Sequence, residues 1–120
     1  MARKAKETVI LELKGLTVIA DYFVICSGGS ITQVKAITEN IEAEFRKKSI
    51  RPLSVEGLRY AHWVLIDYGD VIVHAFEDQT RNYYELEKLW LDAPRVFIEE
   101  DEGVHRKRDI TTAKGERYHQ

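Results

Sequence analysis

Gly28-Gly29-Ser30 is the first place where this chain could do chemistry. The apolar run Asp21-Tyr22-Phe23-Val24-Ile25-Cys26 precedes it and a helical pattern follows it. Glycines opening a helix leave backbone N–H groups free to hold a phosphate. Reaction at that phosphate would need two or three carboxylates around a divalent metal. The nearest downstream pair, Glu42 and Glu44, lies two residues apart in a helical pattern, so the side chains diverge around the axis. Asp67 and Asp70 flank a turn and lack the alternating spacing that aims two strand carboxylates the same way. The plainer reading, a strand-to-helix turn with a good cap, is preferred. His62, His74, His105 and His119 form no metal-ligand spacing with one another or with Cys26. Cys26, inside an apolar strand, reads as a small core residue rather than a nucleophile. No catalytic residue, cofactor or metal site is expected. The short basic run Arg106-Lys107-Arg108 reads as solvated tail.

A surface of another kind is written in Trp63 to Phe76. Two apolar runs rich in β-branched residues flank Tyr68-Gly69-Asp70, a β-hairpin pattern. A turn centred on Tyr68-Gly69 would set Ile66 opposite Val71 and Val64 opposite Val73. One face then carries Val64, Ile66, Val71 and Val73, a core face. The other carries Trp63, Leu65, Asp67, Asp70, Ile72 and His74. A core does not readily accept two carboxylates, and a solvated face seldom carries a Trp. That second face is the candidate working surface, with Trp63 as an interface anchor rather than a half-buried sheet residue.

The elements around it follow from periodicity. Thr8–Leu13 and Asp21–Cys26 read as strands, the second apolar on both faces and so central. Ile31, Val34, Ile37, Ile41 and Phe45 make one helical stripe, over Ile31 to about Lys48. Ser30 and Gln33 form its capping box. Residues 52–61 read as a loop. After the hairpin, Asp78 or Thr80 caps a second helix with Tyr83, Leu86, Leu89 and Trp90 as its buried stripe. Asp92-Ala93-Pro94 stops it. The order β-β-α-β-β-α predicts an α/β (α+β) domain, a mixed sheet of at least four strands with helices packed on it. The strands before and after the first helix should be parallel. The domain should run over 1–98, with a charged extension over 99–120.

Composition narrows the class. The chain has 120 residues, 44% hydrophobic and 32% charged, with formal net charge −2. That suits one globular core and supplies no basic field for nucleic acid or anionic membrane. The lone Cys26 excludes an intrachain disulfide. No signal core follows the basic start Met1–Lys6, and no run approaches a membrane span, so a cytoplasmic protein is expected.

Three groups of residues carry a resemblance. They are Ala20-Asp21-Tyr22-Phe23-Val24-Ile25 with Gly28, Ser30 and Gln33–Ile37; Glu56-Gly57 with Trp63–His74; and Arg81, Tyr84, Leu86-Glu87, Leu89-Trp90 and Asp92-Ala93. Together they resemble the Iojap or ribosomal silencing factor (RsfS) family, from about Thr8 to Val96. The resemblance implies a nucleotidyltransferase-like topology without the catalytic carboxylates. It implies binding to one large-subunit ribosomal protein, universal protein fourteen of the L series, and a steric block to subunit joining. It implies a homodimer when free. The implied contact surface includes the hairpin: Glu56, Trp63, Leu65, Asp67, Tyr68, Asp70 and His74. Only Met1–Glu7 precede the first strand, where family members carry a helix, and the extension after Ile98 is long for the family. A minimal metal-dependent nucleotidyltransferase is the alternative, because Gly28-Gly29-Ser30 also resembles the Gly-Ser element of those enzymes.

Overall fold

The computed structural model describes residues 6–101, 104–111 and 117–118, and the side chains of 8–96. Residues 1–5, His119 and the side chains of Lys6, His105, Arg106, Lys107 and Arg108 lie outside the described residues. Strand β1 covers Lys6–Glu12 and β2 covers Tyr22–Gly28. Helix α1 spans Ile31–Lys47 and is followed by β3 at Ser54–Glu56. The hairpin is β4, Trp63–Asp67, and β5, Val71–Glu77. Helix α2 spans Asp78–Tyr84, and a 3-10 turn covers Leu86–Trp90. Strands β6, Arg95–Asp101, β7, Val104–Thr111, and β8, Arg117–Tyr118, complete the described residues.

These strands form one mixed sheet in the order β3-β4-β5-β2-β1-β6-β7-β8. β2 pairs in parallel with β5, from Tyr22↔Val71 to Gly28↔Glu77. The other ladders are antiparallel. The parallel relation expected across the first helix holds for β3, not for β4, because β3 and β4 are antiparallel. Residues 52–61 therefore contain an edge strand where the sequence reads as a loop. β6 runs through residue 98, pairing Thr8↔Ile98 with β1.

Each sheet face has its own core. Val64, Ile66, Val73, Ala75 and Cys26 pack with Val34 and Ile37 of α1. Val9, Leu11, Phe23, Ile25, Ile72 and Phe76 pack on the other face with Leu86 and Ala93. The hairpin register differs from expectation: Ile66 pairs with Val73 and Val64 with Ala75. Tyr68 N donates to Val71 O at 2.9 Å and encloses Gly69-Asp70, so the turn sits one residue beyond Tyr68-Gly69. The slip is two residues, and a period of two leaves every side chain on its expected face.

α1 starts where its cap predicts. Ser30 Oγ accepts from Gln33 N at 3.1 Å, and Gln33 Oε1 accepts from Gly29 N at 2.5 Å. Ile37 is fully packed, whereas Ile41 and Phe45 are half-buried near the helix end. Phe45 packs edge-on against Tyr68, ring centroids 4.7 Å apart. Ser30→Ala should cost about 1 kcal/mol, read as a lower urea midpoint at unchanged slope.

The second helical segment is broken. Glu85 adopts a left-handed conformation, φ 50°, and separates α2 from the 3-10 turn. A continuous 3.6-residue stripe cannot cross that break. Leu86 is buried at 8% exposure, but Tyr83 and Leu89 are 79% and 72% exposed. Neither Asp78 nor Thr80 is the cap. Glu77, still extended at the end of β5, takes that position without a side-chain bond.

Candidate interaction face

β4 alternates its side chains across the sheet. Val64 and Ile66 face α1, while Trp63 and Leu65 pack on the opposite core. There they sit beside their β5 partners, in the pairs Trp63↔Phe76 and Leu65↔His74. The two strands differ in cover. β5 lies between β4 and β2, and Ile72, His74 and Phe76 are buried. β4 has only the short β3 beyond it, and Trp63, Leu65 and Asp67 remain half-buried.

Trp63 is held by aromatic neighbours. Its ring centroid lies 4.8 Å from Phe76 and 5.1 Å from Tyr84. Its Nε1–H donates to His74 Nδ1 at 3.1 Å. That bond requires an unprotonated Nδ1, and His74 Nε2 is buried without a hydrogen-bond partner among the described residues. Burial pushes the His74 pKa down to about 4. His74 is thus the partner of Trp63 that its place in the strand suggests, but it lies buried beneath Trp63 and not on the contact surface. A base held neutral by folding takes its proton more readily when unfolded. Its stabilisation is complete above pH 6.5 and is lost as pH falls toward 4. Between pH 7 and 4.5 the wild type should lose roughly 2–3 kcal/mol more stability than His74→Phe, by urea unfolding at each pH.

The remaining expected residues divide. Glu56 is exposed, and with Gly57, Trp63 and Leu65 it lines a shallow pocket of about 290 Å³. Asp67 Oδ1 accepts from Gly69 N at 2.8 Å, so part of its task is to hold the turn. Asp70 is exposed, and its carbonyl accepts from Asp21 N and Tyr22 N at 2.8 and 3.1 Å. Tyr68 does not join this face. It packs against Phe45 and the core beneath α1, with a buried hydroxyl that lacks a hydrogen-bond partner among the described residues. Alternation already separates Tyr68 from Asp67. Tyr84, 54% exposed on Trp63, belongs to the face and was missed by the pattern. Its adjacency to Trp63 depends on where α2 docks.

Gly57 shapes the rim. It has φ +84°, and a Cβ there would fall far inside van der Waals contact of the Trp63 carbonyl oxygen. Only glycine lets the chain after β3 pass this close to β4.

The other candidates are engaged locally. At Gly28-Gly29-Ser30, Gln33 and Ser30 side chains already take helix-start N–H groups. Glu44 pairs with Lys47 at 3.2 Å and Glu42 is half-buried. His62 Nδ1 meets Glu77 Oε1 at 2.8 Å. Burial raises the Cys26 thiol to about 11, which keeps it protonated at neutral pH. Among the described residues no three His, Cys, Asp or Glu side chains group to hold a metal. No helix among them is long and apolar enough to cross a membrane.

Fold and face define the class as a small α+β sheet domain, with one face closed by α1 and the other leaving an aromatic, acid-rimmed patch half open. The family model for the ribosomal silencing factor during starvation, RsfS, matches residues 1–120. The ribosomal silencing factor RsfS of Halalkalibacterium halodurans is 47% identical over 97 residues, 81% of this chain and 83% of that protein. The ribosomal silencing factor RsfS of Bacillus subtilis is 45% identical, over 81% of this chain and 82% of its own length. A crystal structure of a Chromobacterium violaceum protein superposes with TM-score 0.70 at 32% identity, over 72% of each chain. The chain belongs to the RsfS family.

Proposed function

We propose that this protein is a ribosomal silencing factor. It binds the large ribosomal subunit through one ribosomal protein, universal protein fourteen of the L series. Bound there, it keeps the small subunit from joining and so represses translation in the cytoplasm. The observation that carries this reading is the whole-chain family match, with relatives of that name 45–47% identical over 81% of the chain.

The face supplies chemistry suited to the task. Trp63, Leu65 and Tyr84 offer apolar area, and Glu56 and Asp70 offer negative rim charge. Ribosomal proteins are basic, so the rim speeds docking and makes it salt-dependent. The same carboxylates repel phosphate backbones, which favours protein over nucleic acid as the direct contact. Silencing then needs occupancy alone and no catalytic step. Off the ribosome, the exposed edge at β3 gives two copies a place to pair about a two-fold axis, so a homodimer belongs to the proposal. We assign recognition to residues 1–98 and leave 99–120 as an extension.

Co-sedimentation decides it. The protein should pellet with isolated large subunits, not with small ones, and added protein should lower the yield of joined ribosomes. Failure to pellet with large subunits at tens of micromolar would overturn the reading. Light scattering that shows only monomer at the same concentration would remove the dimer.

A further inference from the structure

A second cavity lies away from Trp63, where α2 gives way to the 3-10 turn. It measures about 410 Å³ and is lined by Arg81, Asn82, Glu85, Glu87, Lys88 and Arg95. Its position has a cause. β2 and β5 run parallel, and α2 leaves the carboxyl end of β5 while Arg81 reaches Ser27 at the carboxyl end of β2, donating to its Oγ at 3.1 Å. The carboxyl ends of parallel strands are where open α/β sheets bind ligands. The left-handed Glu85 turns the chain away from the helix axis at this point.

The charges do not cancel. Arg81 pairs with Glu87 at 2.8 Å, a largely buried contact. Lys88 pairs with Glu85 at 3.1 Å on the exposed side. Arg95 is the third cation, and the carboxylates of the lining are already matched. Its Nη2 donates to the Glu87 backbone carbonyl at 2.7 Å, and no carboxylate among the described side chains compensates its charge. Its Nε–H is buried with no acceptor among the described residues. An unmet buried donor is costly, more so on a charged group. A guanidinium fork suits an oxoanion, which accepts two parallel N–H bonds.

We propose that this cavity binds a small molecule through one oxoanion group, a phosphate or a carboxylate, with Arg95 as its principal ligand. The volume lies in the range of small-molecule sites. One uncompensated positive charge, beside two carboxylates, favours a single anionic group over a polyphosphate. Asn82 at the rim supplies an amide for the neutral part of the ligand. The site is independent of the proposed ribosome contact.

The test is a titration of the full chain with inorganic phosphate and, separately, with acetate, at fixed ionic strength, following the arginine Nε–Hε signals by NMR. Sodium chloride is the control. The Arg95 signal should shift saturably with phosphate, with acetate or with both, and the arm that saturates at lower concentration identifies the anion class. Arg95→Lys, which keeps the charge but loses Nε–H, should weaken binding by about tenfold or more. Asn82→Leu, at an exposed position and facing only the neutral part of a larger ligand, should leave the affinity for either small anion unchanged. Absence of saturation in both arms overturns the proposal. So does an equal shift with chloride, or an Arg95→Lys protein that binds either anion as the wild type does.

Discussion

Trp63→Glu is expected to abolish pelleting with large ribosomal subunits while the protein stays folded. Trp63 is the centre of the half-open face, set between Phe76 and Tyr84 and tied to His74 by its indole N–H. Truncating a central aromatic anchor weakens an interface by roughly 2–4 kcal/mol, a factor of about 30 to 1,000 in Kd. The glutamate adds a second loss, because docking would bury an unpaired carboxylate. Half-burial of Trp63 also exacts some stability, so circular dichroism must accompany the binding assay. Leu65→Glu makes the same test one pair along β4 with no indole bond to lose. Asp70→Lys should have a smaller effect, larger at low salt than at high salt. A folded Trp63→Glu protein that pellets like the wild type would remove this face from the proposal, and with it the roles of Leu65 and Glu56.

How far such a site can be read in advance depends on the range of the forces that set it. Faces of the hairpin are local: alternation assigns Val64 and Ile66 to one side and Trp63 and Leu65 to the other, and a two-residue slip in register changes neither. α1 is local too, because stripe and cap coincide at Ser30. β3 is not local. Its three residues follow Pro52 and gain strand structure only by pairing with Leu65, Ile66 and Asp67. The break at Glu85 carries no glycine or proline to announce it, so the stripe through Tyr83 and Leu89 reads as continuous when it is not. Burial is the least legible quantity. His74 and Leu65 are cross-strand partners, yet His74 lies under neighbouring elements while Leu65 remains partly open. The Arg81–Glu87–Arg95 cavity joins three elements and has no sequence motif at all.

Gly57 and Gly15 together offer a stability measurement in which the steric term can be isolated. Both have positive φ, +84° and +81°. A left-handed L-residue costs about 1–2 kcal/mol at either position. Around a Cβ at Gly15 there is nothing within 4 Å, so Gly15→Ala should show that strain alone. At Gly57 the added carbon meets the Trp63 carbonyl oxygen, which is backbone and cannot rotate away. β4 must shift from the end of β3, or the turn after Glu56 must open. Gly57→Ala should therefore cost about 3 kcal/mol or more. For a chain of this length that lowers Tm by on the order of 10 °C, against roughly 5 °C for Gly15→Ala. Gly57→Ala should also weaken large-subunit binding, since the displaced atoms carry Trp63 and border the pocket with Glu56 and Leu65. Gly15→Ala, remote from that face in sequence and free of steric contact, should bind as the wild type does. Equal losses of stability in the two variants would show that backbone strain alone accounts for Gly57. Equal binding by both would show that the close approach of residue 57 to β4 does not position Trp63.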